Sequence, residues 1–567
     1  MTRRPDGLDV QYLPRAVKTM NGLDERNKQI VISRGAMLDF SAFGLIILSH
    51  FTNYVVYIEY YRIFPDIVIA LVVIFLIAIA LAVIAQLGGS ITLAIIFAIM
   101  ITFVLGDVIF ELGVADGRTG LFAAGLTLVV SIALALFLGR HASKVLAGAF
   151  AAILGATLLQ PHLQPTQATP GASKAPESGN SDLPVILHLV LDEHIGLAGM
   201  NERRPGGERL ARDLEAFYTG YGFRLFSQAY SQYFDTPMSL AGTLNFDGNP
   251  RVVAHLEKGR GKWTLLTNRY FSELGKRGYK ARIYQSNYMD FCQTTEITIE
   301  SCAVYNPDKF APDSVAGLPL VERGLLLANM YYSSMATIRL MKFAGSSLSA
   351  DLEGYGLELP GLGLWHGFLG PIAVLPTLER LADDLSRPSD GTLFFAHLMI
   401  PHYPYVLRSD CGIRTPISSW ELRFLREGMN TPESRRRRYT AYYDQIRCTL
   451  RKLGTLFDAM KAAGSYEEAI ILIHGDHGSR IALIDPTAEN LPRLTPDDHI
   501  DSFSTLFAAK VPGLAPGIEA GASPVSAILP YLLGIPDAPP RLLERPEAYF
   551  ATDDETYVKF PIMLEAP

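Results

Sequence analysis

The feature that most constrains this chain is the segregation of its apolar residues. Five apolar stretches, at approximately 40–58, 67–86, 91–110, 121–139 and 143–159, crowd the first 160 of its 567 residues. A run near 20 residues can cross the hydrocarbon core of a bilayer as a helix; the fifth, short and rich in Ala and Gly, fits least well. A core helix of a soluble protein keeps a polar face, and DIVIALVVIFLIAIALAVIAQ at 66–86 has none. About five transmembrane helices are therefore expected over 37–160, after an N-terminal tail at 1–36. The tail lacks the short apolar region and small-residue cleavage site of a signal peptide.

Basic residues orient the spans. Arg3, Arg4, Arg15, Lys18, Arg26, Lys28 and Arg34 lie in the tail, and Arg140 and Lys144 in the loop between the fourth and fifth stretches. The opposite loops offer Arg62 and Arg118. The positive-inside rule puts the tail in the cytoplasm, and five crossings put everything after residue 160 outside. All four cysteines, Cys292, Cys302, Cys411 and Cys448, fall in that external part. Three pairings exist, of which the local ones, Cys292–Cys302 and Cys411–Cys448, are favoured; four buried free thiols are the alternative. A net charge of −7 without a long basic tail argues against a nucleic-acid partner.

Residues 161–182 are rich in Pro, Ser, Thr, Ala and Gly and read as a linker. Residues 183–567 suffice for one large α/β domain, and no internal repeat stands out. LPVILHLVLDEHIG (183–196), TLFFAHLMIPHYPYV (392–406) and EEAIILIHGDHG (467–478) are continuous apolar runs that end in polar residues. Such runs suit strands buried on both faces of a mostly parallel sheet. Amphipathic segments at 205–219, 370–386 and 434–463 alternate with them, as in an α/β fold whose central sheet is sandwiched by helices. Ligands bind such sheets beyond the carboxyl ends of the strands, so Asp192, Glu193, His402, Asp476 and His477 can converge on one rim.

Carboxylates and imidazoles together suit a divalent metal, zinc or manganese before calcium or magnesium. Polar caps or turns are the alternative at each corner. In AYSQYFDTPMSLAGTLNFDG (229–248) Thr236 precedes a helical segment, where backbone N–H groups favour an anion. It is either a metal-activated nucleophile or an N-cap, a role Asp235 also suits.

The ordered set of LDE, the Thr236 segment, PHYPY and GDHG resembles the sulfatase and alkaline phosphatase superfamily from about residue 183 to about 540. Sulfatases carry Cys or Ser in C/S-x-P-S-R, whereas this chain has Thr236-Pro237-Met238-Ser239 with no Arg after it. Threonine there, behind membrane helices, is similar to lipoteichoic acid synthases and lipid A phosphoethanolamine transferases. The resemblance implies Thr236 as nucleophile and metal ligand, Asp476 and His477 completing the metal site, and Asp192 as the acid closing the first strand. Those transferases have a single Glu at the first corner; Asp192-Glu193 is closer to the paired acids of sulfatases, so either residue is a candidate ligand. His402 matches the histidine that contacts the phosphate or protonates the leaving group, and Arg480 and Ser239 are candidate substrate contacts.

The implied activity moves a phosphoethanolamine or phosphoglycerol headgroup from a phospholipid donor to an external glycan or lipid acceptor. The implied location is the bacterial cytoplasmic (inner) membrane, multi-pass, with the catalytic domain on the periplasmic side. The alternatives are a phosphate or sulfate ester hydrolase on the same site, or an inactive binding protein of the same fold. His474, His397 and His499 read as structural residues. Arg435, Arg436, Arg437 and Arg438 read as a solvated helix face, with anionic headgroups as the alternative. Asp39, His50 and Asp107 lie near the predicted ends of membrane helices.

Overall fold

The computed structural model describes residues 34–57, 64–111, 117–163, 183–247, 250–259, 262–309, 312–334, 368–422, 430–536, 539, 541–543, 545–551 and 557–564. The tail at 1–33 and most of the expected linker, 164–182, lie outside them. The chain divides into two compact units, one carrying the residues up to 163 together with 331–334, the other the remainder of the described residues from 183 on. Residues 331–334 thus group with the helices, although they fall inside the stretch read as wholly α/β.

The first unit is helical: α1 Arg34–Tyr57, α2 Phe64–Glu111, α3 Gly117–Leu138 and α4 Ala142–Leu163. Among the described residues two helices are long and apolar enough to cross a membrane, or three if the bent pair α3 and α4 counts as one span. The second and third predicted stretches merge in α2, which breaks at Gly89 (φ 77°, ψ −166°). The break is a reversal. Gly44 faces the Cβ of Ala78, while the neighbouring Phe43 ring lies 4.7 Å from Phe97. A straight helix would hold Ala78 and Phe97 about 28 Å apart. Large apolar side chains such as Leu76, Leu87, Phe122 and Phe137 are exposed, as suits a lipid environment.

Polar groups in this unit are paired. Asp39 of α1 accepts a 2.7 Å hydrogen bond from Gln86 of α2 and one from Ser143 of α4. His50 Nδ1 lies 2.9 Å from the Tyr331 hydroxyl. The side chain of Asp107 lies outside the described residues.

The second unit is built on an eight-stranded sheet. Its strands are β1 Ile186–Leu191, β2 Arg224–Tyr230, β3 Lys280–Ser286, β4 Thr298–Tyr305, β5 Thr392–Leu398, β6 Ile470–Gly475, β7 Phe507–Lys510 and β8 Gly517–Pro524. Their order is β8-β2-β7-β6-β1-β5-β3-β4, parallel throughout except for β7. The three apolar runs of the sequence are the adjacent strands β6, β1 and β5. Their continuous hydrophobicity has its reason here, since every residue of β1 is buried. Fully burying a residue such as Ile186 or Leu189 contributes about 1.5–3 kcal/mol. The helices used below are α5 Gly207–Gly220, α6 Thr236–Asn245, α7 Arg269–Lys276, α8 Leu375–Leu385, α9 Pro432–Ala462, α10 Pro496–Phe503 and α11 Val525–Leu532. Both favoured disulfides are formed, Cys292–Cys302 and Cys411–Cys448.

Candidate metal centre

Register brings the site together. Leu191 at the end of β1 pairs with Leu398 of β5 on one side and Gly475 of β6 on the other. The residues that follow, Asp192 and Asp476, therefore leave the sheet at one rim. Asp192, Asp476 and His477 are buried, and their ligand atoms all lie within 4.8 Å of one another. His477 Nε2 stands 3.2 Å from Asp476 Oδ2 and 3.9 Å from Asp192 Oδ1.

Two glycines permit this crowding. A Cβ on Gly475 would come within 2.5 Å of the His194 carbonyl oxygen, and one on Gly478 within 2.2 Å of the Asp501 carbonyl oxygen. Both contacts are with backbone and have no flexible group to give way.

At α6 the cap falls to Asp235 and not to Thr236. Asp235 is the N-cap, its carboxylate accepting the Met238 N–H at 3.1 Å. The Thr236 hydroxyl is thereby free of that duty, and its Oγ1 lies 3.3 Å from His477 Nε2. His477 Nδ1 lies 3.0 Å from the Gly478 carbonyl, which can only accept, so Nδ1 carries the proton and Nε2 offers its lone pair toward Thr236 and the two acids.

Asp192 Oδ1 and Asp476 Oδ2 are buried without a hydrogen-bond partner among the described residues. Two uncompensated carboxylate oxygens facing one imidazole lone pair form a donor set that fits a divalent cation, and without a cation their burial is costly. Burial, followed by the neighbouring Asp192 charge, pushes the Asp476 carboxyl above its ordinary range. At Asp192 burial acts the same way, but His402, His397 and His477 outweigh it and hold that carboxyl low.

Glu193, the other candidate at the first corner, is not among the residues whose ligand atoms lie within 4.8 Å of one another. It adopts a left-handed backbone (φ 63°), and its carboxylate accepts the Tyr403 N–H at 3.1 Å and faces His402 Nε2 at 3.6 Å. His402 sits at the rim, Nδ1 against the Tyr403 carbonyl at 2.6 Å and Nε2 4.0 Å from Asp192 Oδ1.

His397 is the residue that sequence reasoning missed. It is fully buried in β5 with Nε2 3.3 Å from Asp192 Oδ2, at the metal side of the rim. The signal was present: it is the one ionisable residue in an otherwise apolar, fully buried strand. His474 is structural, its Nε2 2.9 Å from His188 Nε2 inside the sheet and its ring stacked on Phe507. His499 packs against Phe503 and Phe560.

Ser239 does not face the site. Its hydroxyl donates to the Tyr233 carbonyl at 3.0 Å and lies 2.8 Å from Ser231 Oγ, closing the turn before α6. Arg480 has a left-handed backbone (φ 56°), with its guanidinium 5.4 Å from the centre of the Phe234 ring, beside the Asp235 cap. The four arginines that open α9 are not one solvated face. Arg436 and Arg437 are exposed, whereas Arg435 and Arg438 turn inward, as the 3.6-residue period demands of positions three apart.

No protein-family model matches the sequence, and no curated protein does. Solved structures similar to the chain include a 2-O GAG sulfatase (12% identity, 64% of this chain and 73% of that one, TM-score 0.37). A phosphonate monoester hydrolase of Agrobacterium radiobacter matches at 12% identity, over 65% of this chain and 80% of that one, with TM-score 0.35. A protein in the alkaline phosphatase superfamily from Vibrio parahaemolyticus matches at 15% identity, over 67% and 74%, with TM-score 0.35. Likeness at this level adds nothing to what the site's own residues establish.

Proposed function

We propose that the chain is a membrane-anchored, metal-dependent phosphotransferase of the sulfatase and alkaline phosphatase type. It takes a phospho-alcohol headgroup from a phospholipid and passes it to an external glycan or lipid. The observation that carries the reading is the Thr236 hydroxyl, 3.3 Å from His477 Nε2 and beside two buried carboxylates, each with one oxygen that has no hydrogen-bond partner among the described residues. The order of motifs along the sequence supports it, as does threonine where sulfatases carry Cys or Ser.

Asp192, Asp476, His477 and Thr236 would hold the ion, zinc or manganese by donor type. Bound there, a divalent cation would lower the pKa of the Thr236 hydroxyl and neutralise charge on the phosphoryl oxygens. Thr236 Oγ, its proton passed to solvent, attacks the phosphorus of the donor. The bond from phosphorus to the diacylglycerol oxygen breaks, and that oxygen takes a proton from His402. An acceptor hydroxyl then gives its proton to His402 and attacks the phospho-threonine diester, the bond from phosphorus to Oγ breaks, and Oγ takes a proton from solvent to restore Thr236. Glu193 holds the His402–Tyr403 segment in place through the Tyr403 N–H, and Arg480 borders the mouth of the site beside Asp235.

Anchoring follows from the helical unit. Two helices are long and apolar enough to cross a membrane, or three if α3 and α4 form one span; the five crossings of this reading rest on counting the two apolar segments either side of Gly89, and α3 and α4, separately. An odd number of crossings from a cytoplasmic tail puts the α/β unit outside, and two disulfides suit that compartment.

The test is product analysis with the purified full chain in detergent, given phospholipids that differ in headgroup, with and without a chelator. A transferase releases diacylglycerol and modifies an added glycan or lipid acceptor, and a chelator stops both. Free phospho-alcohol in place of a modified acceptor would mark a hydrolase. Full activity after complete metal removal would contradict the reading.

A further inference from the structure

One inward-facing arginine of α9, Arg435, meets Arg204 at a single carboxylate, while Arg438 bonds Asn430 instead. Asp501, in α10, is completely buried. Arg204, from the segment before α5, donates Nη2 to Asp501 Oδ1 at 2.6 Å. Arg435 Nη2 bonds the other oxygen, and the Tyr439 hydroxyl, one turn further along α9, also bonds Oδ1. Asp497, one turn back in α10, adds a second carboxylate 3.5 Å from Arg204 and 3.6 Å from Arg435. Two guanidinium charges and two carboxylates therefore balance in a nearly dry cluster that joins three separate elements. Burial at this depth is tolerable only because opposite charges lie against one another, with Asp501 hydrogen-bonded on both oxygens.

The cluster does not touch Asp192, Asp476 or His477, but it touches the next three residues of the chain. The Asp501 carbonyl accepts the Arg480 N–H at 2.8 Å, and the Ser502 carbonyl accepts the Gly478 N–H at 3.1 Å. The Tyr439 hydroxyl also lies 3.0 Å from Ser479 Oγ. Residues 478, 479 and 480 are thus each bonded to the cluster or to the end of the helix that carries it. Gly478 is the link inward, because its own carbonyl receives the Nδ1 proton of His477. A hydrogen bond to the distal nitrogen is what orients a ligating imidazole. The chain of contacts runs from Asp501, through the carboxyl end of α10, to the Gly478 peptide and so to the direction of His477 Nε2.

We propose that Asp501, with Arg204, Arg435 and Tyr439, forms the outer support that positions His477 for metal binding. These are positioning residues and meet neither substrate nor metal. The proposal rests on the reading of Asp192, Asp476 and His477 as metal ligands. It also assigns a role to one of the four arginines of the run: Arg435 supports the site from behind, while Arg438 bonds Asn430 and Arg436 and Arg437 stay at the surface.

The test uses the full chain in detergent with Co2+ alone as probe, reading its affinity by calorimetry and the ligand field by the visible Co2+ absorption band. Asp501→Asn is expected to weaken Co2+ binding roughly tenfold or more, at the lower end of the effect of losing an orienting partner, and to shift the band. Tyr439→Phe keeps the ring and removes one hydroxyl, and is expected to weaken binding about threefold, the scale of one hydrogen bond. Leu385→Ala, a buried site on α8, is expected to lower Tm while leaving affinity and band alone. Wild-type affinity and band in both Asp501→Asn and Tyr439→Phe would overturn the proposal. So would a Leu385→Ala variant that loses affinity in proportion to its loss of Tm, because stability alone would then account for the effect. If Asp501→Asn does not fold, Tyr439→Phe decides. Absence of Co2+ binding by the wild-type chain would instead remove the metal reading itself, and the proposal with it.

Discussion

Replacing Gly478 by alanine should open the metal corner. The new Cβ would stand 2.2 Å from the Asp501 carbonyl oxygen, 2.7 Å from its carbon and 2.9 Å from the Ser502 carbon, all backbone atoms of α10. Real Cβ atoms do not come closer than 3.0 Å, so the contact must widen by about 0.8 Å. The 3.1 Å bond from the Gly478 N–H to Ser502 then exceeds hydrogen-bonding distance, and the 2.8 Å bond from Arg480 to Asp501 is strained with it. Losing one or two buried backbone bonds costs about 2–4 kcal/mol, since each buried group left unpaired adds to the lost bond. That corresponds to a fall in Tm on the order of 2–5 °C for a domain of this size. Metal ligation tolerates only about 0.2 Å of misplacement, so affinity should fall as well. Thermal unfolding and a chelator-competition titration of the purified chain read both effects. Gly464→Ala serves as control, since its φ of +74° strains alanine but nothing lies within 4 Å of the added carbon. It should lose about 1–2 kcal/mol from the left-handed backbone and keep its metal affinity. Unchanged Tm and metal affinity in Gly478→Ala would refute the close approach on which the corner depends.

Other expectations follow from the same geometry. Glu193→Ala removes the acceptor of the Tyr403 N–H and should lower kcat roughly tenfold or more by loosening His402, with metal content by elemental analysis unchanged; Glu193→Gln, which keeps an oxygen there, should lose less. Reducing the disulfides should destabilise the α/β unit: loops of 37 and 10 residues correspond to about 4 and 3 kcal/mol of chain entropy, seen as a lower Tm under reductant. Burial opposes ionisation of Asp501, but Arg204 and Arg435 outweigh it and hold its carboxyl below the ordinary range. Its contribution to stability is therefore complete above about pH 4 and lost as pH falls through the lower folded value. Denaturant midpoints measured between pH 5 and pH 2 should fall more steeply for the wild type than for Asp501→Asn.

The strands that build the rim were legible because a parallel sheet buries both faces, and LPVILHLVL, TLFFAHL and IILIHG have no alternation to obscure them. Their shared register made the convergence of Asp192, Asp476 and His477 legible too. The placement of Glu193 was not: its carboxylate reaches the Tyr403 N–H through a left-handed backbone that no composition announces. Ser239 was misread for a similar reason, since a hydroxyl that closes its own turn looks in sequence like one offered to a ligand. Gly88-Gly89 marked the reversal inside α2, as the gap between two apolar runs. In the arginine run, helical period separates inward Arg435 and Arg438 from exposed Arg436 and Arg437, but Arg435's partner Asp501 lies some sixty residues away and only the fold brings it near.

The central claim is that Thr236 carries the transferred group. Intact-mass analysis of the full chain, metal-loaded and given phospholipids one headgroup at a time without acceptor, tests it most directly. The account predicts a mass increase equal to one phospho-alcohol unit, located at Thr236 by peptide mapping and missing from Thr236→Ala. Metal-loaded wild-type protein that turns over phospholipid yet never shows that adduct would contradict it.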